Sequence, residues 1–143
     1  MLFNNRDETR KVFFSVWQKV QVGKQLEPME SIIADVINLH PEYQKVLEDE
    51  EEGVLSEFKQ EQGMTNPFLH MGLHIALREQ LAMNKPDGIK QIYEQLSRQY
   101  PDIHQLEHSM IDCLAEALWL AQLNNTLPDE KQYLDKLKRL LNT

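Results

Sequence analysis

The chain has 143 residues, 41% of them hydrophobic and 27% charged, which suits one folded domain with its own core and argues against a disordered chain. Its formal net charge of -8 and the lack of any basic run argue against a nucleic-acid partner, because phosphate binding needs a basic face. A single cysteine, Cys113, excludes a disulfide within the chain, and no stretch approaches the roughly 20 apolar residues of a membrane span.

The first expected helix runs from about Asp7 to Val22, with Val12, Phe13, Val16, Trp17 and Val20 on one stripe. Gly23 stops it. A second begins near Pro28, carries Met29, Ile32, Ile33, Val36 and Ile37 on its apolar side, and ends near His40. Pro41 restricts the backbone of His40 and opens a short helix to Leu47. Five consecutive acids, Glu48 to Glu52, repel one another and read as a solvated loop or a frayed helix end. A short helix is expected through Val54, Leu55 and Phe58, and a break at Gly63 to Asn66.

The third long helix starts at Pro67, behind Asn66 or Thr65, and runs to about Met83. It is the least polar of all, so it is expected at the centre of the fold. Pro86, Asp87 and Gly88 separate it from a helix over Gly88 to Gln99, whose apolar face is Ile89, Ile92, Tyr93 and Leu96. A long helix follows from Asp102 to Asn124, and a last one from Pro128 to Leu141. No segment shows the two-residue alternation of a strand over a convincing length. The expectation is therefore an all-α chain: a compact bundle of five to seven helices in a single domain over residues 1–143, with helix 66–83 central. The start of the chain shows no signal peptide, so a cytoplasmic protein is expected.

Chemistry is concentrated on two of these helices. On helix 66–83, Leu69, Leu73, Ala76 and Leu77 define an apolar face, with His70 and His74 one turn apart on its flank and Arg78 continuing the row. On helix 102–124, Ile103, Met110, Leu114, Leu118 and Ala121 form the apolar side, and Glu107 falls inside it. A carboxylate there is costly unless paired, hydrogen-bonded or bound to a metal. His104 and His108 flank the same stripe one turn apart, and Asp112 lies a turn further on. His70, His74, His104, Glu107 and His108 are thus the candidate metal ligands, and imidazole with carboxylate suits zinc, iron or manganese. The plainer reading is a buried hydrogen-bond network, with Arg78 and the carboxylates as partners and Glu30 or His40 as further members. Glu116 points away from the stripe and is the weaker candidate. Cys113 reads as a buried apolar filler, and Trp17 and Trp119 as core or interface anchors.

No cofactor is certain. The zinc-protease pattern is absent, since Met71 and Gly72 follow His70, and there is no phosphate loop, serine elbow or Cys-x-x-Cys. Asn66-Pro67-Phe68-Leu69-His70-Met71-Gly72-Leu73-His74-Ile75-Ala76-Leu77-Arg78-Glu79-Gln80 resembles the central signature of an uncharacterised bacterial family, domain of unknown function 1841. His40-Pro41-Glu42-Tyr43, Glu107-His108 with Cys113-Leu114-Ala115-Glu116, and Trp119 to Gln122 are similar to the same family. The resemblance implies a compact helical bacterial protein and transfers no activity. Two functions remain: first, a non-enzymatic helical interaction protein with an unidentified partner or self-association; second, a metal-binding protein or metal-dependent enzyme.

Overall fold

The computed structural model describes residues 6–48, 50 and 66–142. Among these the chain is all-α, with six α-helices: α1 (Arg6–Gln21), α2 (Pro28–Asn38), α3 (Pro67–Met83), α4 (Ile89–Gln99), α5 (Ile103–Leu123) and α6 (Glu130–Arg139). Short 3-10 turns occupy Pro41–Tyr43, Val46–Glu48 and Leu140–Asn142. The expected short helix 41–47 is therefore two separate turns. Most of the acidic run, the short helix expected at Val54 to Phe58 and the break from Gly63 to Thr65 lie outside the described residues. No helix of the described residues is long and apolar enough to cross a membrane.

The chain divides between Gly72 and Leu73, inside α3, into two compact units. In the first, α1 ends where Gly23 adopts a left-handed φ of 73°, so that the Lys24 N–H reaches back to the Lys19 carbonyl at 2.9 Å. Glu30 accepts from the Glu27 N–H at the start of α2 and from Lys19 of α1. These two partners, the backbone bond first, hold its carboxyl below the ordinary glutamate value. Phe13, Phe14, Val16, Ile33, Val36, Ile37 and Phe68 are buried. Phe68 meets Phe13 edge-on at 5.8 Å, and the buried Arg10 guanidinium lies 4.8 Å from the Phe68 ring centre. Asn66 caps α3 by accepting from the Phe68 and Leu69 N–H groups at 3.0 and 3.1 Å, with Pro67 in the first turn where its missing N–H costs nothing.

The second unit has a core of Leu77, Ile89, Ile92, Leu96, Leu106, Met110, Ile111, Leu114, Tyr133 and Leu137. Full burial of each such aliphatic side chain contributes about 1.5–3 kcal/mol, which short helices cannot supply from propensity alone. Local signals set the helix starts. The Asn84 carboxamide accepts from the Gly88 and Lys90 N–H groups at the head of α4, Asp102 accepts from the His104 N–H at that of α5, and Asp129 from the Gln132 N–H at that of α6. The Tyr133 hydroxyl donates to Gln80 at 2.8 Å and the Gln99 carboxamide to the Leu140 carbonyl, tying α6 to α3 and the final turn to α4.

Two apolar stripes differ from expectation. Leu69, expected at the centre of α3's face, is 60% exposed, while Phe68, Met71, His74, Ile75 and Leu77 are buried. On α5, Ile103 and Leu118 are exposed and Leu106, Met110, Ile111, Cys113 and Leu114 are inside. A helix that is apolar almost all round does not reveal its inner face by apolarity. On α3 the inner face is the one that carries His74, because a partner waits for it.

Candidate metal centre

α3 presents His74 and, one turn later, Arg78. α5 presents Glu107 beside His104 and His108. Inside the second unit these side chains meet. His74 is fully buried and Glu107 is 2% exposed. The His74 Nε2 lies 2.8 Å from Glu107 Oε1. Arg78 donates to the same carboxylate through Nε, 2.7 Å from Oε1, and through Nη2, 3.2 Å from Oε2. The arrangement is the planar two-point grip that a guanidinium makes on a carboxylate.

Burial works against the charge on Glu107. The hydrogen bonds from His74 and Arg78, with the Arg78 charge, outweigh it and hold the carboxyl below its ordinary value. Tyr93 of α4 feels the same pair. Its hydroxyl is raised first by burial and then by the Glu107 charge, with Arg78 opposing.

The remaining rings stand close by. The centroids of His104 and His108 are 4.6 Å apart, and His74 lies 6.1 Å from His104 and 6.0 Å from His108. Ring nitrogens of His74 and His108 come within 4.8 Å of each other. Two imidazoles on a tetrahedral ion with bonds of about 2.0–2.1 Å need a somewhat closer approach than this. The His74 and His108 nitrogens thus lie beside Glu107, with the His104 ring next to them, and such donors could hold a divalent metal.

Four of the five candidate ligands, His74, His104, Glu107 and His108, are brought together. His70 makes its described ring contacts in the first unit, edge-on to His40 at 4.8 Å and to Tyr43 at 6.0 Å. His40 is buried there, stacked on Tyr43 and 3.1 Å from a Glu42 oxygen through Nδ1. Glu30 is engaged by Lys19, and Glu116 pairs with Lys136 of α6, in keeping with its position off the stripe. Asp112 is exposed. Cys113 is buried, and burial raises its thiol pKa, which fits an apolar filler. Tyr93 is the member of this neighbourhood that the sequence did not mark, since an aromatic residue in an amphipathic stripe carries no sign of a charged neighbour on another helix.

A family model described as Domain of unknown function (DUF1841) matches residues 5–139. The chain belongs to this family. No curated protein and no solved structure matches the chain. Membership in DUF1841 brings no activity with it. The chemistry of this DUF1841 protein rests on the donors themselves, and those donors lie in segments that carry the family resemblance: His74 and Arg78 in the central signature, Glu107 and His108 in the pair that precedes Cys113 to Glu116.

Proposed function

We propose that this protein binds a divalent metal ion at a centre built from His74, His104 and His108 around Glu107. What supports the reading is the approach of the His74 and His108 ring nitrogens to within 4.8 Å next to a buried, ionised carboxylate. Neutral imidazoles are ligands for first-row divalent metals, and a centre with three of them keeps a coordination position for a substrate or water. A metal-dependent enzyme is the natural extension of that reading. Metal analysis tests it directly. Protein purified without an affinity tag and dialysed in turn against zinc, iron or manganese is expected to retain close to one equivalent of at least one of them, and the His74→Ala and His108→Ala variants to lose it. Stoichiometry near zero in the folded wild-type protein, whichever metal is supplied, overturns the reading.

A second reading, a non-enzymatic helical interaction protein that self-associates, draws support from one feature of α5. Trp119, 59% exposed, and Leu123 stand one turn apart with Leu118 beside them, leaving a large apolar surface in water. Sedimentation over a wide concentration range tests it: a dimer that Trp119→Ala weakens supports self-association, and a strict monomer counts against it.

A further inference from the structure

We infer that Glu107 is not a ligand of this centre but the outer carboxylate that sets which nitrogen of His74 faces the metal, so that the ion is held by imidazoles and the centre selects zinc, copper, cobalt or nickel over manganese, magnesium and calcium. The inference rests on the metal-binding reading above and specifies it.

The argument begins with the hydrogen bond between His74 Nε2 and Glu107 Oε1 at 2.8 Å. An ionised carboxylate only accepts, so the proton of that bond sits on Nε2. In the neutral imidazole the lone pair is then on Nδ1. A metal at Nδ1 lies across the ring from Glu107, far outside the 2.0–2.2 Å of a metal–oxygen bond. His74 cannot give Nε2–H to Glu107 and share one ion with it from the same edge.

The carboxylate's own acceptor sites agree. Oε1 accepts from His74 Nε2 and Arg78 Nε, and Oε2 accepts from Arg78 Nη2. Three of its roughly four lone-pair sites are used, and both on Oε1. Pulling Oε1 onto a metal would break its bonds to His74 and Arg78, which leaves only the second site of Oε2, the oxygen that Arg78 Nη2 already holds. Arg78 therefore keeps Glu107 in place and charged, and Glu107 keeps the His74 ring oriented. A carboxylate behind a ligating histidine fixes its tautomer and raises its basicity. Both Glu107 and Arg78 are positioning residues here.

Metal preference follows from the donor set. Hard cations such as magnesium, calcium and manganese seek oxygen ligands, whereas imidazole nitrogens suit zinc, copper and nickel. With its one buried carboxylate turned to Arg78, this cluster presents nitrogen.

The test uses the full-length, tag-free protein and its Glu107→Gln and Arg78→Met variants, with circular dichroism to establish that each is folded. Wild-type protein offered an equimolar mixture of zinc and manganese is expected to take up zinc with little manganese. Loaded with copper(II), wild type and Glu107→Gln are expected to give the same electron paramagnetic resonance parameters, because the coordinating atoms are unchanged. Zinc affinity in both variants is expected to fall about 10–100-fold, the size of effect of removing an outer partner of a ligating histidine. Preferred loading with manganese, or a copper spectrum in Glu107→Gln that has lost an oxygen donor, overturns this inference while leaving metal binding intact. Where a variant fails to fold, long-range proton–nitrogen NMR of the His74 ring in zinc-loaded wild type decides the matter: zinc at Nδ1 with the proton on Nε2 supports the inference, and zinc at Nε2 overturns it. Absence of any bound metal overturns the underlying reading instead.

Discussion

Glu107 shows how one residue becomes legible and where that legibility ends. A carboxylate inside the stripe of Leu106, Met110 and Leu114 demands compensation, and the sequence alone states that demand. It does not state the supplier, because a partner 29 or 33 residues away on another helix leaves no trace in the local spacing. The pairing has a consequence in acid. The folded-state pKa of Glu107 lies below the ordinary 4.5, so its ionised form contributes stability above about that pH, and the contribution is lost as the pH falls through the folded value. Urea unfolding of wild type and Glu107→Gln between pH 7 and pH 3 is expected to show a gap that is constant near neutrality and narrows below about pH 4.5. A gap that stays level or widens in acid would contradict the pairing. At pH 7, truncation to Glu107→Ala is expected to cost about 3 kcal/mol, the lower end of the range for breaking a buried pair, since Arg78 keeps a third of its side chain in water.

Helix starts were the most legible elements. Asn66-Pro67 and Asp102 act through neighbours two or three residues away, and side chain and backbone donor are read in one glance along the chain, whereas the last helix, expected from Pro128, begins at Glu130 behind the Asp129 cap. Facing was harder. On α3 apolar residues occupy nearly the whole circumference, so Leu69 looked central and is exposed, while His74 looked peripheral and is buried. Glycine offers a check on element geometry, because the same substitution should act in opposite directions at two positions. Gly72 lies within α3, and a methyl group added there meets nothing within 4 Å. Gly72→Ala is therefore expected to stabilise the protein by about 0.5–1 kcal/mol through helix propensity. Gly88 also has open space around it, but its φ of 96° precedes α4 in a conformation that a Cβ disfavours. Gly88→Ala is expected to destabilise by about 1–2 kcal/mol. Thermal unfolding of the two variants checks both signs, and the prediction fails if they shift together.

At the scale of the molecule, the all-α class and the membership in DUF1841 were legible because both are carried by patterns spread over most of the chain. The exposure of Leu118, Trp119 and Leu123 was not, since an apolar side chain reads the same whether a neighbour covers it or water does. The proposed ion at His74, His104 and His108 would join α3 to α5, two helices that also share the second unit's core through Leu77, Leu106 and Met110. The unfolded chain offers the same imidazoles without holding them together, so such an ion would bind the folded form preferentially and stabilise it by mass action. At a free zinc concentration 100-fold above the dissociation constant the gain is about 2.7 kcal/mol, which for a chain of this length raises the melting temperature by on the order of 5–15 °C. Surface carboxylates on a chain of net charge -8 also attract divalent cations, but they do so for magnesium as well as zinc and largely independently of any one histidine. The expected pattern is therefore a rise with zinc that magnesium does not reproduce, that a chelator reverses, and that His74→Ala and His108→Ala each abolish. An equal rise with both metals, surviving both substitutions, would assign the stabilisation to the acidic surface and remove the centre from the account.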